Sequence, residues 1–291
     1  RFLEGFQLNA EADGRLAYLG TTTKRKGHLD WTGISRFNST VLAAPLYDRQ
    51  RRRKFATSMG DMFHYSMMRQ ENIRHLAAAF GIMLYADWHL YMVLSKYPAT
   101  AASFFQAWTP RLCMMEAARR LPYTLQPPSE DRPWESYPHI WKGTSAGNQQ
   151  TALTNVPRLA LCPGPLFLSL EPLLGPISLD HLPGIEHIDW IITGGQSGPR
   201  AKPSHPEWFR NLRDDSATRC IPFMFKQWGR WQEDEELALR TGAPSRIKEL
   251  ARVNKFTGPP KILRAMDRQD AIGEWHHPDH PTDAWMRDMR S

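Results

Sequence analysis

Leu166-Phe167-Leu168-Ser169-Leu170-Glu171-Pro172 and Trp190-Ile191-Ile192-Thr193-Gly194-Gly195 share one build. A short, almost unbroken apolar run ends abruptly in proline, glycine and polar residues. Runs apolar on both faces are what parallel strands covered on both sides require. Similar runs occupy Lys54–Ser58, Leu90–Ser95, His139–Thr144 and Pro222–Phe225. Helical patterns fall between them at about 69–86, 99–120, 148–161 and 205–219. In the first, Ile73, Leu76, Ala77, Phe80, Met83 and Leu84 recur at i, i+3, i+4 spacing. Pro110 interrupts the second, which predicts two helices or a kinked one. The alternation predicts an α/β fold, a TIM-like (β/α) barrel, complete or partial, with an open doubly wound sheet as the alternative. No G-x-G-x-x-G or P-loop is present to support dinucleotide or nucleotide binding.

Outward from this block the character changes. Residues 1–50 read as an extended N-terminal arm, 51–232 as the barrel and 233–291 as a C-terminal extension with one or two short helices. The extension begins with the acidic run Glu233-Asp234-Glu235-Glu236. His276, His277, Asp279 and His280 resemble a metal-binding cluster, but Pro278 and Pro281 beside them favour an exposed tail.

The chain has 291 residues, 41% hydrophobic and 23% charged, enough to build a core and too apolar for a disordered tail. No run of about eighteen apolar residues is present. Three cysteines, Cys113, Cys162 and Cys220, lie far apart and cannot supply a disulfide framework or a cysteine-based metal site. Cys113 and Cys162, in apolar helical contexts, read as core. The net charge of +7 is compatible with a polyanionic partner. Its densest source is Arg49, Arg51, Arg52, Arg53 and Lys54, joined by Lys24, Arg25 and Lys26. Guanidinium forks match phosphate oxygens, so these are the candidate contacts to nucleic acid or a protein partner.

In a β/α barrel the functional groups project from the C-terminal strand ends. Those exits carry Asp61 and His64, Glu171, Gln196 and Lys226. Asp61 with His64 forms a candidate acid–base pair, Glu171 a carboxylate and Lys226 an anion contact. A metal-independent hydrolase built on Asp61 and His64 is one reading, although no G-x-S-x-G elbow is present.

The strings SMGDMFH, SLEPLLGPI, IDWIITGGQSGP, HPEWFRNLRD and IPFMFKQWGRW, with WTGISRFN near residue 31, resemble a phage- and bacteria-encoded family of unknown function. The resemblance covers about residues 30–232 and implies a partial radical-SAM-like barrel. It also implies three cysteines near an initial strand, holding a [4Fe–4S] cluster that binds S-adenosylmethionine. That triplet is not in this sequence; it lies upstream of Arg1 or has been lost. Where relatives read Thr-Lys-Arg-Pro, this chain has Ser95-Lys96-Tyr97-Pro98. Where they read Val-Ser-Val-Glu-Asn, it has Thr144-Ser145-Ala146-Gly147-Asn148, and Gly-Gly-Glu-Ser-Gly becomes Gly194-Gly195-Gln196-Ser197-Gly198. One cation and two carboxylates thus give way to neutral residues.

The resulting expectation is a non-catalytic barrel with a vestigial pocket at Asp61, His64, Glu171, Gln196 and Lys226 and no cofactor. It would be a structural subunit among the proteins of a large assembly, with RNA as a further candidate partner. The absent cysteine triplet, the neutralised pocket charges, the basic arm and the added tails motivate a host such as a mitochondrial ribonucleoprotein (a mitoribosome) or a respiratory complex; the non-Met start and arginine-rich balance point to the mitochondrion, with the cytoplasm as the alternative compartment. The competing expectation is a radical S-adenosylmethionine enzyme carrying a [4Fe–4S] cluster.

Overall fold

The computed structural model describes residues 22–25, 28–32, 41–57, 60–121, 125–198, 201–234 and 246–249. Its centre is a six-stranded parallel sheet made of β3 (Arg53–Ala56), β4 (Leu90–Ser95), β5 (Ile140–Ser145), β6 (Leu166–Leu170), β7 (Trp190–Gly194) and β8 (Phe223–Gln227). Each strand pairs with the next in sequence. A doubly wound sheet reverses its order at a switch point; this one does not, which removes the open doubly wound alternative. The strands curl into a half-barrel with β3 and β8 at its two edges.

The connections supply the helices: α1 (Ala44–Tyr47) precedes β3, and α2 (Gln70–Tyr85) joins β3 to β4. Next, α3 (Pro98–Ala107) and α4 (Pro110–Ala118) join β4 to β5, α5 (Gln149–Leu159) joins β5 to β6, and α6 (Pro206–Thr218) joins β7 to β8. The break between α3 and α4 falls where Pro110 predicts it. Pro110 opens α4, where a missing N–H is harmless, and the Thr109 hydroxyl caps the turn by accepting from the Leu112 N–H.

Period-two alternation divides the sheet into two surfaces. Tyr91, Val93, Ile140, Leu166, Leu168, Leu170, Ile191 and Phe223 belong to the main core with the helices. There Phe63, Phe80, Phe105 and Trp134 interlock, with the Phe105 and Trp134 rings 4.9 Å apart and edge to face. The alternate residues form a separate cluster on the other face. Trp141, Phe167 and Trp190 are buried there, flanked by Leu90, Met92, Leu94, Ile192 and Met224. Gly143 pairs with Phe167 in the β5–β6 ladder. A Cβ at Gly143 would intrude on the Phe167 ring, so the bare backbone makes room for the aromatic floor of the half-barrel.

Among the buried polar side chains, Lys142 is the lysine. Lys142 is 1% exposed, its Nζ donates to the Ile140 carbonyl at 2.9 Å, and it lies 5.6 Å from the Phe105 ring centroid. Burial pushes its ammonium down to about 8.

Outside the sheet, β1 (Thr22–Arg25) and β2 (His28–Trp31) form an antiparallel hairpin, as do β9 (Trp231–Asp234) and β10 (Arg246–Glu249). Residues 246–249 of the C-terminal extension form a strand, with Glu233 and Asp234 in β9 opposite Ile247 and Arg246; the short helices expected in the extension lie outside the described residues. The first sheet strand also starts and stops earlier than the expected Lys54–Ser58. It ends at Ala56 because Thr57 adopts a positive φ of 54°. No helix among the described residues is long and apolar enough to cross a membrane.

Candidate functional site

The C-terminal ends of the strands carry two separate polar clusters. Over β3 and β4, Asp61 accepts at Oδ1 from the Ser95 hydroxyl (2.6 Å) and the Phe63 N–H (3.0 Å), and at Oδ2 from the Lys96 N–H (2.7 Å). Its carboxylate therefore clamps the exit of β4 to the loop leaving β3. The Ser95 hydroxyl also accepts from the Tyr97 N–H at 2.9 Å, and Thr144 donates to the Ser95 carbonyl at 2.8 Å, which carries the tie to β5. His64 does not join this network through its side chain. Its Nδ1 lies 2.8 Å from the Ser66 hydroxyl, and its ring packs 4.0 Å from Tyr65 and 5.1 Å from Tyr97, centroid to centroid. The expected acid–base pairing of Asp61 with His64 is thus not formed: local turn geometry commits the imidazole to Ser66, while the carboxylate binds donors from β4.

Over β6 to β8 the arrangement is tighter. Phe167 and Ser169 alternate onto the concave side of the sheet, and Glu171 continues that alternation one step past the strand. Lys226 Nζ donates to Glu171 Oε2 at 2.9 Å, and Gln227 Nε2 donates to Oε1 at 2.9 Å. The Gln227 amide also lies 3.2 Å from the Ser197 hydroxyl. Two consecutive residues of a regular strand cannot reach the same face. Here a register shift between Thr193 and Gly194 lets β8 bulge, setting Gln227 beside Gly194. Gly194 is permissive: a Cβ there would lie 3.1 Å from Glu171 Oε1. Glu171 is mostly shielded, whereas half of the Lys226 side chain faces solvent.

Gln196 stands apart from both clusters. Its Oε1 accepts from the Lys202 N–H at 2.9 Å and its carbonyl from the Arg230 N–H at 2.9 Å, which braces the loop after β7. Of the five sequence-predicted residues, the fold joins Glu171 to Lys226 directly, adds Gln227 and Ser197, and gives Asp61, His64 and Gln196 other partners. Gln227 and Ser197 had only their positions at strand exits to mark them.

An iron–sulfur cluster needs thiolates gathered at one place. Cys113 is buried in α4, where burial pushes its thiol well above its usual value. Cys162 follows α5 and is buried with its thiol pushed up to about 12. Cys220 is exposed just before β8, at the end of the strand remote from the polar clusters. The described residues do not fit the cluster, and no group of three or more metal-ligating side chains occurs among them. His276, His277, Asp279 and His280 lie outside the described residues.

The basic candidates lie at the other end of the sheet. Arg49, Arg51, Arg52 and Arg53 are exposed beside the start of β3. Asp48 receives Lys54 Nζ at 2.8 Å and Arg52 Nε at 3.0 Å. The hydrogen bond from Lys54 holds its carboxyl below the usual carboxylate range. Lys24 and Arg25 fall on β1, where only the backbone is described, and Lys26 lies outside the described residues.

No curated protein and no solved structure matches this chain. A family model described as a protein of unknown function (DUF5131) matches residues 9–271. With nearly its whole length covered by that match, the chain belongs to the DUF5131 family.

Proposed function

We propose that this chain is a non-catalytic half-barrel that serves as a structural subunit of a larger assembly. One observation carries the reading: the polar side chains at the strand exits are engaged in bracing the exits to one another. Asp61 ties β3 to β4, Glu171 ties β6 to β8, and Gln196 pins the loop after β7. Such hydrogen bonds rigidify the rim of an incomplete barrel, whose open side gives it less internal support than a closed one. The host assembly, whether a mitochondrial ribonucleoprotein or a respiratory complex, and the mitochondrial or cytoplasmic compartment belong to this proposal as well.

The test is complementation with rim variants that still fold. Lys226→Met removes the half-exposed cation at the mouth; it is expected to restore the phenotype of a deletion strain as fully as the wild type, and the native protein to sediment with a larger particle. A folded Lys226→Met protein that fails to complement, or a native protein that sediments as a free monomer, would overturn the reading.

A second reading is a radical S-adenosylmethionine enzyme whose cluster ligands lie elsewhere than in the described residues. What favours it is the placement of Glu171 and Lys226 at the concave, C-terminal mouth of a parallel half-barrel, where such folds collect their chemistry. The bound cofactor would supply the radical chemistry. Glu171, Lys226, Gln227 and Ser197 would position a polar ligand beside it.

A further inference from the structure

We propose that α2 and the end of α4 carry a site for a dianionic phosphate monoester, built on Arg74 and Arg119. None of the rim side chains takes part, so the site does not depend on whether the rim is catalytic.

The site starts from a buried acid. Glu116, in α4, is 4% exposed, and residues just past the end of that helix serve both of its oxygens. Arg119 donates to Oε1 at 2.7 Å and Arg120 donates to Oε2. Arg120 also donates to the Glu116 carbonyl at 2.9 Å. Burial alone would raise the carboxyl, but the Arg120 and Arg119 guanidiniums outweigh it and hold it below the usual range. Glu116 is therefore ionised and already has its hydrogen bonds.

A third guanidinium comes from the neighbouring helix. Arg74 Nη1, on α2, stands 3.6 Å from the same Oε1, too far for a hydrogen bond. Arg74 and Arg119 are thus neighbours across one oxygen, with side chains 61% and 59% exposed. The helices that carry them pack closely, since a Cβ at Gly81 would meet the Cys113 carbonyl. That approach fixes where the two stems leave the surface.

Neutralising Glu116 takes one cation, and serving both of its oxygens takes two. Arg74 does neither, and it adds charge where charge is already in surplus. Three guanidiniums around one carboxylate leave two positive charges unbalanced. A phosphate monoester at neutral pH carries close to two negative charges and three acceptor oxygens. The planar fork of each exposed guanidinium matches a pair of such oxygens. A phosphodiester carries one charge and leaves the cluster half neutralised, which disfavours a polynucleotide backbone. The last carbonyls of α4, which would repel an anion, are occupied. Met115 and Ala117 accept from the Arg119 N–H, and Ala117 also accepts from the Arg120 N–H.

The experiment is isothermal titration calorimetry of the full chain at constant ionic strength, at a pH well above the second phosphate ionisation. The probes are inorganic phosphate, O-phosphoserine, a phosphoserine peptide with its unphosphorylated form, and dimethyl phosphate. The dianions are expected to bind at least about tenfold more tightly than dimethyl phosphate. Arg74→Gln should weaken phosphoserine binding about tenfold, and Arg119→Gln likewise, because each removes charge-assisted hydrogen bonds. Arg158→Gln, which removes an exposed cation from α5, should leave it unchanged. A phosphopeptide that binds more tightly than inorganic phosphate supports the proposal and assigns the ligand to a phosphorylated side chain of a partner protein. One that binds no more tightly supports it and assigns the ligand to a small free phosphate.

No phosphate binding at millimolar concentration, dimethyl phosphate binding as tightly as the dianions, or an equal loss in Arg158→Gln and Arg74→Gln would each overturn it. So would an unphosphorylated peptide that binds as well as its phosphorylated form. Should the arginine variants fail to fold, as judged by circular dichroism, the comparison of dianions with dimethyl phosphate on the unsubstituted chain still decides.

Discussion

Lys226 Nζ and Gln227 Nε2, from consecutive residues of β8, each lie 2.9 Å from one oxygen of the Glu171 carboxylate. The two donors differ in exposure. Lys226 is half in water, where an ion pair is screened and contributes under about 1 kcal/mol. Gln227 and Glu171 are more enclosed. Glu171→Ala should therefore lower the free energy of unfolding by about 1–3 kcal/mol, as it leaves the Gln227 amide with the Ser197 hydroxyl alone. Lys226→Ala should cost less than about 1 kcal/mol. Urea denaturation of both variants checks the ranking, and the opposite order would mean that the ion pair dominates.

Asp61 should behave as a clamp. Its replacement by alanine leaves the Ser95 hydroxyl and the N–H groups of Phe63 and Lys96 without their acceptor. An unfolding penalty of about 2–3 kcal/mol is expected. Faster amide exchange at Lys96 than in the wild type would locate the loss; unchanged exchange there would contradict the clamp.

Lys142 gives a pH-dependent prediction. Its ammonium, about 8 in the folded chain against an ordinary value of 10.5, is penalised by burial whenever it carries charge. Between those two values the unfolded chain binds the extra proton, so stability rises with pH across that window. Below about pH 8 the full penalty applies. Lys142→Met, of similar volume and apolar, should stabilise the fold by about 1–3 kcal/mol at pH 7. The advantage should shrink as pH rises from about 8 toward 10.5. Unfolding free energies at three pH values check both sign and window.

Two glycines should respond differently to alanine. At Gly143 the added methyl meets the Phe167 ring, and at Gly81 it meets the Cys113 backbone carbonyl. Overpacking of this kind costs about 1–3 kcal/mol or more. A second substitution, Phe167→Leu, should recover part of the Gly143→Ala loss. It should recover none of the Gly81→Ala loss, because backbone of α4 cannot be trimmed. Equal recovery at both sites would argue against the stated contacts.

The fold was legible where a strand was apolar on both faces. Leu166–Leu170 was read with its observed bounds, and Trp190–Thr193 fell one residue short of the strand's end. Pro110 marked the break between α3 and α4. The edge strand was displaced because Arg53, its first residue, carries a charge and looks like loop. The rim was legible only as a set of exits. Glu171 with Lys226 could be singled out by charge, but Gln227 joins them only through a β-bulge, which leaves no pattern in the residue types. Likewise the bond from Ser95 to Asp61 spans distant positions, and nothing in the spacing indicates that a serine hydroxyl, in place of His64, would take that carboxylate.

The central claim is that the rim holds the half-barrel together and performs no chemistry. Anaerobic treatment of the full-length protein with ferrous iron and sulfide, followed by reduction in the presence of S-adenosylmethionine, tests it most directly. The account predicts no stoichiometric iron retained after gel filtration and no methionine released. Retention of about four irons per chain together with release of methionine, abolished by Glu171→Gln in a protein that remains folded, would contradict it.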